Sequence, residues 1–188
     1  MGRELEFKYT LTEEAFQSLQ ARFAPFRQIR MQTTYYDTPD SVLGKRKWTL
    51  RRRMENDSPV CTLKTPGKDG ARGEWECPGE DFRGLLTLGA PKELEGLLND
   101  LQPTCGAAFT RLAADVWSGG TRMELALDRG QALGGGKTAP IFELEIELKE
   151  GSDEAARAYA REIAEEYGLA EQKVSKFRRA MELVPKTV

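Results

Sequence analysis

The chain of 188 residues contains no histidine. That absence excludes Ser-His-Asp triads, HExxH zinc sites and every imidazole general base. Cysteine is scarce: Cys61, Cys77 and Cys105 are the full complement, with no CxxC spacing, and an odd count fits poorly with a disulfide framework. No apolar run approaches the roughly 20 residues that a membrane helix needs. The N-terminus enters a strand pattern without the features of a signal peptide. A cytoplasmic location and no membrane partner are therefore expected. Nor is one sign of charge in excess, with 28 Lys and Arg against 30 Asp and Glu, a formal net charge of −2. No bulk attraction to nucleic acid follows from such a balance. A cation-rich site must be local, with acids elsewhere compensating it. Chemistry is left to carboxylates, lysine, arginine and hard metal ions.

What is present is a charged but globular composition, 39% hydrophobic and 31% charged in 21.1 kDa. No linker or convincing repeat divides the chain, so a single domain over 1–188 is expected, long enough to bury a core. Its main feature is alternation. In ELEFK, residues 4–8, Glu4, Glu6 and Lys8 share one parity against Leu5 and Phe7. In FELEIELK, residues 142–149, Glu143, Glu145, Glu147 and Lys149 share one parity against Leu144, Ile146 and Leu148. A period of two places successive side chains on opposite faces of a sheet, so both stretches read as strands with one charged face.

The pattern recurs. Arg51 and Arg53 share a face, as do Thr62 and Lys64, then Arg72, Glu74 and Glu76, and again Glu124 and Asp128. Segments around QTTYYDT, KWTLRRRME, VCTLKT, RGEWECP, FTRLAADVWS and TRMELALDRG complete a set of seven to nine strands, with a hairpin turn at PGKDGA. Thr10 or Thr12 caps an amphipathic helix carrying Phe16, Leu19 and Phe23. Further helices are expected through ELEGLLNDL, from Ser152 to Gly168, and in the tail SKFRRAMEL.

A lone alternating strand is usually half of an open sheet with its polar face in water. Repetition over at least five strands, with Glu and Arg in place of neutral polar residues, favours a sheet closed on a polar interior and covered by helices outside. Opposite charges held there are costly unless a ligand or metal completes the pairing. Clustered carboxylates without histidine suit Mg²⁺ or Mn²⁺, and clustered Arg and Lys suit phosphate oxygens. Together they imply a polyphosphate with its metal.

These residues resemble the CYTH domain, also called the triphosphate tunnel metalloenzyme family. ELEFK matches its ExExK signature, and the likeness continues in order through YYDT, LRRR, TLK, RGEWE, ELALD, ELEIEL and SKFRRA. The resemblance implies an α+β fold, a closed eight-stranded antiparallel β-barrel forming a tunnel, with helices packed outside. It implies metal ligands at Glu4, Glu6, Glu143, Glu145 and Glu147, and phosphate binding by Lys8, Arg51, Arg53, Lys64, Arg72, Arg111 and Lys176. Glu4, Glu6, Lys8 and Glu147 would carry the catalysis, with Asp128 near the tunnel rim. Arg52 has the wrong parity. The implied activity is metal-dependent hydrolysis of inorganic triphosphate. A thiamine or nucleoside triphosphatase, a class IV adenylate cyclase and a non-catalytic polyphosphate-binding module are the alternatives. The partner expected is a triphosphate-bearing small molecule, with a homodimer left open.

Two other features carry less. GQALGGGKT, residues 130–138, looks like a Walker A loop, but Gln131 stands where the first Gly is required and a strand follows in place of a helix. Tyr35, Tyr36, Trp48, Trp75 and Trp117 read as wall packing, and the cysteines as buried fillers.

Overall fold

Ser or Thr side chains start three of the helices. Thr12 accepts from the Ala15 amide at 3.1 Å and opens α1, Glu13–Phe23, with Glu13 and Glu14 in the first turn. Ser152 accepts from the Ala155 amide at 3.3 Å and opens α4, Asp153–Glu166. Ser175 accepts from the Arg178 amide at 3.2 Å and opens α5, Lys176–Leu183. Two short helices, α2 (Val42–Lys45) and α3 (Arg83–Thr87), lie between strands. The chain is described by a computed structural model over residues 2–3, 5–66 and 72–185.

The strands are β1 (Gly2–Arg3), β2 (Glu6–Thr10), β3 (Arg27–Asp37), β4 (Thr49–Glu55), β5 (Ser58–Pro66), β6 (Arg72–Pro78), β7 (Gln102–Ser118), β8 (Thr121–Gly134) and β9 (Lys137–Glu150). They form one antiparallel sheet in the order β1-β6-β5-β4-β3-β7-β8-β9-β2. Because β1 and β2 come from the same N-terminal segment, the nine assigned strands are eight stretches of chain. The sheet curls into a half-barrel. A closed barrel was the expectation, and the hydrogen-bonded order instead ends at β1 on one side and β2 on the other. The cause lies between Arg3 and Glu6, where the N-terminal segment changes partner: two of its residues pair with β6 and five with β9.

The convex face carries the apolar parity. Leu125, Leu127, Leu144 and Ile146 are fully buried beneath Phe16 and Leu19 of α1 and Ala156, Ala160 and Ile163 of α4. Leu50, Cys61, Leu63 and Cys77 pack under α2, α3 and Leu94. The helix expected through ELEGLLNDL is a 3-10 helix, Lys92–Asp100. The segment predicted as a Walker look-alike is the end of β8, a turn at Gly135 and Gly136, and the start of β9. Both glycines have positive φ, 56° and 75°, which their lack of Cβ permits. The hairpin turn expected at PGKDGA falls, for residues 67–71, outside the described residues. No helix among the described residues is long and apolar enough to cross a membrane.

Candidate functional site

Since one parity faces the convex core, the other must face the concave side, and there it lines a cavity of about 590 Å³. Strands β2 to β9 all contribute, as do Ser175, Lys176 and Phe177 at the start of α5. That volume lies in the range of small-molecule sites. Seven Lys and Arg and seven Glu side chains line it. Among the described residues the wall is therefore neutral in total, and it carries both signs.

On β4 to β6, Arg51, Arg53 and Lys64 meet Glu55, Glu74 and Glu76. Arg51 and Arg53 of β4 lie beside Lys64 of β5, which sits opposite Thr49 in the register. Lys64 lies 3.4 Å from Glu74 of β6. Arg53 donates to Glu55, yet its buried Nε has no hydrogen-bond partner among the described residues. Burial and the neighbouring Arg51 charge both push the Arg53 pKa down, as expected for a desolvated guanidinium beside another cation. A buried donor without an acceptor is costly, and an anionic oxygen in the cavity would satisfy it.

The facing wall is acidic. Glu6 of β2 stands directly opposite Glu147 of β9, and Glu147 directly opposite Glu124 of β8. Asp115 of β7 continues the row opposite Glu124. Like charges directly opposite on neighbouring strands repel. Cations relieve the row in part: Lys8 is 2.7 Å from Glu6, Lys149 is 2.7 Å from Glu147, and Arg27 is 2.9 Å from Glu124. All donors here are carboxylate oxygens, the set that a hard divalent cation requires.

Behind both walls lies a tighter network. Asp128, Glu143 and Glu145 offer oxygens within 4.8 Å of one another, a spacing that could hold a metal ion. A cation already occupies it. The Lys176 ammonium lies 2.8 Å from Asp128 and 2.7 Å from Glu145 and also contacts Glu143. Arg111 donates two bonds to Asp128, at 2.8 and 2.7 Å, and a third to Glu145. Arg179 donates to Glu143 and, at 3.2 Å, to the Pro140 carbonyl. Three carboxylates thus meet three cations. Burial alone would lower the Lys176 pKa, but the three carboxylates outweigh it and raise the value well above the usual lysine range. Burial likewise opposes ionisation of Glu145, and Lys176, Arg111 and Lys8 hold its pKa far below the ordinary carboxylate value. At Lys8, burial is outweighed by Glu145 and Glu6, and the pKa rises.

Of the residues singled out from the sequence, Glu6, Lys8, Arg51, Arg53, Lys64, Arg111, Glu145, Glu147 and Lys176 line the one cavity. Glu143 does not line it; it is fully buried beneath, taken by Lys176 and Arg179. Glu4 falls outside the described residues, and Arg72 is described only as backbone paired with Pro66. Arg52 faces the convex side, donating to the Tyr36 hydroxyl at 2.6 Å. Sequence reasoning placed Glu124 and Lys149 on charged faces without a site role and did not single out Glu55 or Arg179. Parity with Arg53, Asp128 and Glu147 signals the first three, and Arg179 follows Lys176 by three residues on one face of α5.

Comparison with known proteins agrees with this geometry. The model for the CYTH domain matches residues 2–181. A Haemophilus influenzae protein named inorganic triphosphatase is 32% identical over 170 residues, covering 81% of this chain and 47% of that protein. The chain spans about half the length of this curated relative. Among solved structures, one from Hippeastrum, an adenylyl cyclase candidate described as having a dominant triphosphatase activity, superposes with a TM-score of 0.64 at 19% identity, covering 94% of this chain and 93% of that one. An adenylate cyclase candidate from Bacillus halodurans gives 0.62 at 20% identity, covering 93% and 96%. At such identities these two establish a shared fold.

Proposed function

The chain belongs to the CYTH domain family, and from that premise we propose that it hydrolyses inorganic triphosphate with a divalent metal, Mg²⁺ or Mn²⁺. The observation that carries this reading is that one cavity gathers Arg51, Arg53 and Lys64 of β4 and β5 together with a row of Glu6, Glu147 and Glu124 on β2, β9 and β8. A neutral wall has no use for a bare polyanion; it suits an anion that arrives with its cation. The name of the curated relative, inorganic triphosphatase, favours inorganic triphosphate as the substrate.

Each group then has a task. Arg51, Arg53 and Lys64, with Arg72 at the end of β6, grip the phosphate oxygens through charge-assisted bonds. Glu6 and Glu147, with Glu4 next to them in the chain and Glu145 beside Lys8, hold the metal. Bound there, a divalent ion supplies charge neutralisation on the phosphates and a lowered pKa for water. Lys8 sits within the acidic wall, contacting Glu6 at 2.7 Å and Glu145 at 3.6 Å. Arg111 and Lys176 face the cavity but spend their charge on Asp128, Glu143 and Glu145, so they position Glu145 more than they bind phosphate. Phosphoryl transfer asks for positioning and charge stabilisation and for little covalent chemistry, which a site without histidine can provide. In this reading residues 1–188 act as one cytoplasmic domain, and the N-terminal segment, paired with β6 at one end and β9 at the other, closes the sheet into a tunnel around the substrate.

Phosphate release from inorganic triphosphate, ATP and thiamine triphosphate, each with Mg²⁺, Mn²⁺ or EDTA, tests the proposal. Fastest release from inorganic triphosphate, abolished by EDTA and by Glu147→Gln in a folded protein, is the expected outcome. Cyclic AMP from ATP would instead make it a cyclase. Binding without turnover would make it a polyphosphate-binding module.

A further inference from the structure

On the convex face, away from the charged cavity, Cys61 of β5 stands directly opposite Cys77 of β6. Directly opposed residues of antiparallel strands point to the same side, with Cα atoms about 4.5–5.5 Å apart. A disulfide accepts Cα separations of about 4.4–6.8 Å. Both side chains are buried in the apolar cluster under α3, and both are free thiols. The two thiols lie close enough to influence each other's ionisation. Surrounding groups hold them there: the Cys61 thiol donates to the Gly79 carbonyl at 3.3 Å, and a Cβ on Gly84 of α3 would lie 2.8 Å from the Cys77 sulfur. The packing of α3 on that sulfur therefore requires glycine at 84.

We infer that Cys61 and Cys77 form a modification site, a dithiol that a peroxide converts reversibly to a cross-strand disulfide. Cys77, 5% exposed against 0% for Cys61, is the sulfur that meets the oxidant. Its thiol attacks one peroxide oxygen, the O–O bond breaks, and a sulfenic acid and one water form. The Cys61 sulfur then attacks the sulfenic sulfur, the S–O bond breaks, and the departing hydroxide takes the Cys61 proton as a second water. The protein loses two electrons and the peroxide gains them. A small oxidant suits a buried pair, since a bulky thiol reagent has no room beneath α3. Burial raises the pKa of the attacking Cys77 thiol and pushes that of Cys61 up to about 12, so oxidation is slow near neutrality and quickens as pH rises.

The bond would form directly behind the cavity wall. Thr62 and Glu76 pair next to the cysteines, with a hydrogen bond of 3.1 Å, and Lys64 pairs with Glu74 two residues on. A crosslink fixes the β5–β6 register that places Lys64, and closes a loop of modest length.

Reduced protein treated with hydrogen peroxide, then denatured in N-ethylmaleimide, supplies the test. Intact mass should fall from three alkylated thiols to one, peptide mapping should join Cys61 to Cys77, and dithiothreitol should restore all three. The crosslinked form should melt about 6–12 °C higher. Cys105→Ser should keep the crosslink, while Cys61→Ser and Cys77→Ser should lose it. Three free thiols at a peroxide dose that oxidises the urea-unfolded chain would overturn the inference. So would a crosslink through Cys105, or sulfinic acid at Cys77.

Discussion

Replacing Lys176 by Met keeps the bulk of the side chain and removes its charge from Asp128, Glu143 and Glu145. The three carboxylates then face Arg111, Arg179 and, 3.6 Å from Glu145, Lys8. Removing one partner from a buried ionic network costs about 3–5 kcal/mol, because the remaining charge is stranded away from water. For a chain of this size that lowers Tm by about 6–20 °C. Its pH dependence separates this cause from lost packing. In the parent protein Glu145 has a depressed pKa, so its contribution is present above the unfolded value of about 4.3 and lost as pH falls. Lys176 is the largest of the charges depressing it, so without Lys176 the depression weakens while Arg111 and Lys8 remain. A carboxyl whose pKa is less depressed contributes less stability above its unfolded value, while below that value the two proteins converge. The deficit of Lys176→Met should therefore be greatest near neutrality and shrink below about pH 5. Urea unfolding followed by circular dichroism at pH 7.5 and 4.5 measures it. A deficit under about 1 kcal/mol at pH 7.5, or one that grows on acidification, would refute the reasoning.

Arg53→Gln should lower kcat/KM for inorganic triphosphate about 10–150-fold, the worth of charge-assisted hydrogen bonds, whereas Arg52→Gln next to it should leave the value unchanged because that side chain faces away. Equal losses in steady-state assays of both variants would remove the parity argument. Leu125→Ala, in the fully buried layer between the sheet and α1 and α4, should cost about 2–5 kcal/mol in urea unfolding while leaving metal and triphosphate affinity intact.

Strict alternation made much of this legible in advance. Glu6, Lys8, Arg51, Arg53, Lys64, Glu145 and Glu147 meet in one cavity because a strand offers each side chain only two directions, and the apolar partners fix which one is convex. Glu143 obeys the same parity yet lies beneath the cavity, since α5 crosses the concave face there and brings Lys176 and Arg179 onto it. Nothing in the local spacing of FELEIEL reports where a distant helix will dock. α2 and α3 escaped notice because helices of four and five residues are too short to show a period. The early part of β7 was missed because Gly106, Ala107 and Ala108 alternate in neither size nor polarity. Partial closure at the N-terminus depends on which sheet edge each short stretch pairs with, and alternation does not encode that choice.

Crystals grown with Mn²⁺ and inorganic triphosphate would decide whether the inward charges enclose a polyanion and its cation. The anomalous manganese peak should lie within the row of Glu6, Glu147 and Glu124, with phosphate density against Arg51, Arg53 and Lys64. Manganese on the outer surface, or triphosphate bound anywhere but the concave face, would contradict it.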